Sequence, residues 1–495
     1  MGSEGKKNRR DNDFYSKEMN EDYKTFLKTK TQLGGNHGFE PIWLHDELFD
    51  FQKDLTTWAL RKGRAAIFAD CGLGKTIIQL VWAENVVRKT NGRVLIFTPL
   101  AVAGQTAREA EKFGIDAYVC RDGKLKAGSG IAIANYERLH YFSPTDFEGV
   151  VCDESSILKH FTGATQKQVT RFMSKLPYRL LCTATAAPND YIELGTSAEA
   201  LGVMTHSDML TRFFKQLDDK GQKKEQKKLG ENQKLANHFA RLSFRVHQSI
   251  GQWRLKHHAE KEFWRWVCSW ARACRKPSDL GFDDTDFLLP ELIHNNHVIK
   301  PATPPEGMLF TLPAFGLAAE RAERRRTLNQ RCEYVASLVN HNAPAVVWCH
   351  MNDEGNLLEK IIPGARQIAG ATPDDDKEEI YKAFAEKELR VLVIKPKIGA
   401  WGLNWQHCSH VVTFASHSYE QFYQSVRRCW RFGQKSNVRL DVIATEGESR
   451  VIENMLRKAV LADVMFSELV KYMTMPKEIK INRNDTNQIE VPQWA

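Results

Sequence analysis

Phe68-Ala69-Asp70-Cys71-Gly72-Leu73-Gly74-Lys75-Thr76 decides the reading of this chain. The apolar run 65–69 has the character of a buried strand, and Ile77-Ile78-Gln79-Leu80-Val81-Trp82 opens a helix. Strand, glycine loop, lysine, hydroxyl and helix, in that order, form an arrangement that binds a nucleoside triphosphate. Gly72 and Gly74 let backbone N–H groups close on phosphates, Lys75 reaches the β/γ oxygens, and the Thr76 hydroxyl suits Mg²⁺. Ala69 stands where the strict pattern has glycine. An ordinary glycine turn is therefore the competing reading, and other motifs must decide.

A chain of 495 residues is too long for one core, so two or three domains are expected. Hydrophobic content of 42% and charged content of 26% fit a globular chain rather than a disordered one. The net charge of +9 is compatible with a nucleic-acid partner without requiring it. Ten cysteines are scattered with no Cys-x-x-Cys pair, and several sit in apolar runs, as buried thiols in a reducing compartment would. No apolar run is long enough to cross a bilayer, and the first residues are polar and charged. The expectation is a cytoplasmic protein with no membrane partner.

Strands and helices alternate on both sides of the middle of the chain. Runs at 94–97, 131–134, 150–152 and 180–182 are short, apolar and end in polar residues, which suits a parallel sheet buried on both faces. The same rhythm returns at 345–348, 391–394, 410–413 and 438–443. The expected division is a mobile polar arm at 1–38, an α/β domain at 39–205, and a helical, basic insertion at 206–317. A second α/β domain follows at 318–475, with a polar tail at 476–495.

Val150-Val151-Cys152-Asp153-Glu154 is a strand ending in two carboxylates, and strand ends point into the crevice where open α/β sheets bind ligands. Asp153 suits the Mg²⁺ shell, and Glu154 suits the orientation and deprotonation of an attacking water. Gln52, one helix before the glycine loop, has the paired donor and acceptor that read an adenine edge. Thr183-Ala184-Thr185 ends another strand in small hydroxyl residues. Late in the chain, Gln424, Arg428 and Arg431 share one face if their segment is helical. Two arginines a turn apart can converge on a phosphoryl group, although an exposed basic helix would carry the same spacing.

Taken in order, Gln52, GLGKT at 72–76, DESS at 153–156, TAT at 183–185, GAWGLN at 399–404 and QSVRRCWRFGQ at 424–434 resemble the superfamily 2 helicases. Within these the Swi/Snf-type translocases are the nearest. The segment 270–282 with Leu289-Pro290 looks like helicases carried by bacteriophages and prophages. The resemblance implies two RecA-like domains with ATP and Mg²⁺ in the cleft between them, and DNA, double- or single-stranded, as partner. It further implies phage replication or recombination proteins as partners, and a bacterial host cytoplasm. By the same likeness Lys75, Thr76, Asp153 and Glu154 serve hydrolysis, Gln52 and Gln424 hold ATP, and Arg428 and Arg431 act as arginine fingers. Thr183 and Thr185 would couple hydrolysis to movement, while Thr98, Asn135, Tyr136, Gly402 and Asn404 would grip nucleic acid.

Two departures stand out. Ser155-Ser156 replaces a small residue plus histidine, and Lys395-Pro396 occupies the place of a Ser/Thr pair. An RNA helicase, or an ATP-gated clamp that binds nucleic acid without moving, are the alternative readings. In the insertion, the four-residue spacing of Trp266 and Trp270 reads as core, whereas Arg275 and Lys276 read as backbone contacts for DNA. His257, His258, Cys268 and Cys274 match no common zinc spacing.

Overall fold

Short runs rich in Val, Ile, Leu and Ala become strands here because both faces of each sheet are covered, so no alternation with polar residues is needed. In the computed structural model, which describes residues 35–100, 102–128, 130–217, 253–301, 316–399 and 404–474, two parallel sheets form. The first contains β1 (Arg64–Ala69), β2 (Val94–Thr98), β3 (Ala117–Val119), β4 (Ile131–Asn135), β5 (Gly149–Asp153) and β6 (Tyr178–Cys182). Between the sheets in sequence lie an antiparallel pair, β7 (Phe214–Gln216) and β8 (Trp253–Leu255), and then β9 (Ala271–Cys274). The second sheet is built from β10 (Leu292–Ile299), β11 (Ala345–Trp348), β12 (Ala365–Ile368), β13 (Val391–Ile394), β14 (His410–Phe414) and β15 (Val438–Thr445).

Strand order is β3-β4-β2-β5-β6-β1-β9 in the first sheet and β10-β15-β14-β11-β13-β12 in the second. Every pairing in both is parallel. The expected two RecA-like α/β domains are present. β1 and β5 lie with β6 between them, so the glycine loop after β1 and the carboxylates ending β5 open at the same end of the sheet.

The span 206–317 departs from a separate helical insertion. Its described part does contain helices, at His206–Phe213 and Glu260–Trp270, but β9 extends the first sheet beside β1 and β10 extends the second beside β15. Aromatic packing explains the first attachment. Phe263, Trp264, Trp266 and Trp270 are buried in the first domain's core, and the Trp270 ring meets Phe68 edge-on at 6.1 Å. Most of the polar arm, the lysine-rich stretch 220–228, Gly402 and the tail 476–495 lie outside the described residues.

The helix Ser449–Thr474 joins the two cores. Val451 and Met455 near its start pack in the second domain, whereas Leu461, Met465, Phe466 and Leu469 pack in the first. Among the described residues no helix is long and apolar enough to cross a membrane.

Trp270→Ala separates a core role from base stacking. Removing this fully buried indole should destabilise the protein by about 3–5 kcal/mol, seen as a lower denaturant midpoint, whereas a base-stacking indole would leave the midpoint unchanged.

Candidate active site

The glycine loop is shaped by two positive backbone angles, φ 91° at Gly72 and φ 76° at Gly74. A side chain would also be crowded: a Cβ at Gly74 would lie 2.3 Å from Gln52 Nε2, and one at Gly72 would sit tightly, 3.0 Å from the Phe432 nitrogen. Gln52 is buried, and its amide both braces the loop and caps the start of its own helix. Its Nε2 donates to the Leu73 carbonyl at 3.0 Å and its Oε1 accepts from the Phe49 N–H at 3.0 Å. Lys75, at the start of the helix Lys75–Thr90, donates to the carbonyls of Ala69 (3.0 Å) and Asp70 (3.3 Å). Thr76 is half-buried in the first turn of that helix.

Asp153 and Glu154 are both buried at the end of β5. Gln79 Nε2 donates to Asp153 Oδ1 at 2.7 Å. Burial raises the Asp153 pKa, with Gln79 and Lys75 opposing it. Glu154 sits in left-handed backbone, φ 51°, ψ 52°, a conformation uncommon outside glycine and typical of residues held by their surroundings. Its carboxyl is pushed up to about 7, chiefly by burial, with Lys75 and Arg428 pulling down and Asp153 and Glu420 pushing up. A carboxyl poised there suits a general base at neutral pH.

Thr183 and Thr185 link this carboxylate to the second domain. Thr183 Oγ1 donates to Glu154 Oε2 at 3.3 Å and accepts from the Thr185 N–H at 3.0 Å. Thr185 Oγ1 in turn donates to Glu420 Oε1 at 3.4 Å, and Glu420 forms a salt bridge with Lys159.

The segment 419–434 lies across the cleft from the glycine loop. Gln424 is buried, with its Oε1 accepting from Arg428 at 2.7 Å and from the Cys71 thiol at 3.5 Å. Arg428 is buried, so the exposed basic helix is ruled out at this position. Burial and the neighbouring Arg428 lower the Arg431 pKa to about 10. Two cations gathered in a buried cleft are suited to an anionic ligand. Gln79 Oε1, Ser155 Oγ, Gln424 Nε2 and Ser425 Oγ are buried around this cleft without partners among the described residues. A polar ligand would satisfy them, and the Thr76 hydroxyl and the Asp153 carboxylate are oxygen donors of the kind Mg²⁺ prefers.

Other sequence-derived residues fall elsewhere. Thr98 is fully buried and Asn135 nearly so, and the side chains of both donate to the Pro99 carbonyl, at 3.2 and 3.3 Å. Tyr136 is buried, its hydroxyl donating to the Asp153 carbonyl at 2.6 Å, which places it behind the carboxylate pair. Arg275 is half-buried beside Asp279, and its guanidinium lies 5.9 Å from the Phe466 ring centroid. Lys276 is exposed and paired with Asp284 at 3.0 Å. Asn404 is exposed. Sequence reading passed over three residues that meet across the cleft: Arg427 donates to Asp70 Oδ2 at 2.7 Å and the Tyr423 hydroxyl donates to Asp70 Oδ1. The aspartate inside the glycine loop was the available signal, because a carboxylate beside phosphate-binding groups needs a cation of its own.

Residues 328–433 match the helicase conserved C-terminal domain. That stretch holds Gln424, Arg428 and Arg431. The bifunctional helicase and thymine dioxygenase JBP2 of Leishmania braziliensis is 28% identical over 132 residues, which is 26% of this chain and 12% of that protein. The Leishmania tarentolae protein of the same name gives the same identity and coverage. The chain thus matches only a small part of these curated relatives' length. Among solved structures, the Sulfolobus solfataricus SWI2/SNF2 ATPase core in complex with dsDNA aligns over 88% of this chain and 99% of its own, at 15% identity and a TM-score of 0.39. The two-domain architecture therefore rests on strand order and register within this chain.

Protonation of Glu154 generates a paired prediction. Its folded pKa of about 7 lies above the ordinary 4.5, so the folded state binds the extra proton and stability falls as pH rises between those values. Glu154→Gln should therefore melt at a higher temperature than the parent above pH 7 and near the same temperature below pH 4.5. Equal melting temperatures at both pH values would mean that burial does not strain this carboxylate.

Proposed function

We propose that the protein hydrolyses ATP with Mg²⁺ and couples turnover to movement along DNA, as a superfamily 2 helicase or translocase of the Swi/Snf kind. The observation that carries this reading is the cleft itself: Lys75, Asp153 and Glu154 on one wall, Gln424, Arg428 and Arg431 on the other, joined by Thr183, Thr185 and Glu420. The helicase C-terminal match over 328–433 supports the role of the second wall.

Lys75 and the loop N–H groups bind the triphosphate, and Thr76 and Asp153 hold Mg²⁺, which neutralises charge on the phosphate oxygens when bound. Glu154, ionised above about pH 7, takes the proton of the attacking water. Arg428 and Arg431 stabilise the charge that develops on the transferred phosphoryl group. The Thr183–Thr185–Glu420 path passes the loss of that proton acceptor's charge to the second domain, so that hydrolysis biases closure. Ser155 and Ser156 are buried next to Glu154. DNA as the track, a phage-encoded origin, replication or recombination partners and a bacterial cytoplasmic setting belong to this proposal through the motif resemblance and the net charge of +9.

ATPase assays with double-stranded DNA, single-stranded DNA and RNA test it directly. Stimulation by DNA, together with triplex displacement on duplex substrates, is the expected outcome; stimulation by RNA alone would overturn the choice of track. Lys75→Ala should abolish turnover with a parental melting temperature. In Glu154→Gln, nucleotide binding should survive while hydrolysis falls by about a hundredfold or more, and the rise in parental turnover through pH 7 should disappear. Arg431→Lys keeps the charge but loses the planar fork, so hydrolysis on saturating DNA should fall by about a thousandfold, with near-normal ATP affinity.

A further inference from the structure

Four contacts from the second domain converge on three consecutive residues of the glycine loop. Arg427 donates to Asp70 Oδ2 at 2.7 Å and to the Cys71 carbonyl at 2.8 Å. The Tyr423 hydroxyl donates to Asp70 Oδ1, and the Phe432 backbone lies against Gly72. The pair is buried, with Arg427 3% and Asp70 8% exposed. Arg427 is also flanked by aromatic faces, its guanidinium 4.9 Å from the Trp430 ring centroid and 5.9 Å from that of Tyr423.

The same aspartate is tied to the loop from within. Its Oδ1 accepts from the Cys71 N–H at 2.6 Å, and its backbone carbonyl accepts from Lys75 at 3.3 Å. Asp70 therefore stands between the phosphate-binding lysine and the second domain. The second domain thus meets the loop at this carboxylate, at the Cys71 carbonyl and at Gly72.

Buried ion pairs contribute little net stability, because desolvation offsets their attraction, but a mispaired charge in such a place is heavily penalised. The consequence is selection of one register rather than general adhesion. Only a closure that lands Arg427 on Asp70 leaves neither charge stranded. Arg427 immediately precedes Arg428, so the backbone that seats the first guanidinium also sets the second against Gln424.

We propose that Arg427 is a positioning residue: by pairing with Asp70 it fixes the one closed register in which Arg428 and Arg431 face Lys75 and Glu154. Domain closure then depends on the conformation of the glycine loop. This inference rests on the ATP-driven reading above for its kinetic consequence, though not for its structural one.

The full chain tests it. Arg427→Lys keeps the charge but gives up the planar guanidinium, whose Nη2 reaches both Asp70 and Cys71 and whose plane lies near the Tyr423 and Trp430 rings. Its kcat for ATP should fall by roughly a hundredfold, the scale of an ångström-size misplacement, while binding of a fluorescent ATP analogue stays within about threefold of the parent, a difference of under 1 kcal/mol. Asp70→Asn should do likewise, and the double variant should be no worse than either alone, because both remove one interaction. Small-angle scattering without nucleotide gives a readout independent of turnover: both variants should have a larger radius of gyration than the parent. Tyr423→Phe removes a single hydroxyl and keeps the ring, so it serves if a charge variant misfolds, and it should lower kcat in the same direction.

Parental kcat in Arg427→Lys, or losses that multiply in the double variant, would overturn the inference and leave ATP hydrolysis intact. If the parent hydrolyses no ATP, the proposed function fails. Unchanged scattering in the variants would then overturn the latch as well, and an expanded form would support it.

Discussion

Two carboxylates held out of water at the end of β5 set the terms for everything around them. Asp153 and Glu154 are both buried, and a buried carboxylate persists as an ion only where hydrogen bonds and cations surround it. Gln79 answers for Asp153 and Thr183 for Glu154. The positive groups that act on Glu154, Lys75 and Arg428, come from opposite domains. The pair of charges is therefore complete only when the cleft is formed, which makes the relation of the domains part of the site's electrostatics.

The architecture keeps that relation reproducible. Segment 271–299 places one strand in each sheet within a short stretch of chain, and the helix Ser449–Thr474 starts in one core and ends in the other. Chain ties of this kind restrict how far two domains can separate, and the Phe432 ring of the second domain adds an apolar contact by stacking on Phe287 at 4.8 Å beside the first. Polar contacts within the cleft, such as Thr185 with Glu420 and Arg427 with Asp70, are the ones that choose among the allowed orientations.

Much of the fold was legible because its signals are local. Runs such as 94–97 and 391–394 are apolar throughout, and only strands covered on both faces tolerate that pattern. The glycine loop was legible for the same reason, since positive φ at Gly72 and Gly74 follows from their identity and place between strand and helix. Trp266 and Trp270 read as core from their spacing and are core. Thr98, Asn135 and Tyr136 show the limit. Their motif suggests a nucleic-acid surface, yet all three side chains donate to backbone carbonyls in the buried interior, and Tyr136 supports Asp153 from behind.

By itself the sequence determined the strongly apolar strands, the glycine loop, the carboxylate pair and the cationic segment, because each depends on neighbours within a few residues. Tertiary structure alone decided that β9 and β10 belong to different sheets, that Gln52 braces the loop at Leu73, and that Asp70 meets Arg427. Those outcomes join residues hundreds of positions apart or turn on which of several acceptors a buried donor reaches. Sequence spacing carries no information about such choices. The requirement that every buried charge find its counter-charge does, and it acts only once the chain has folded.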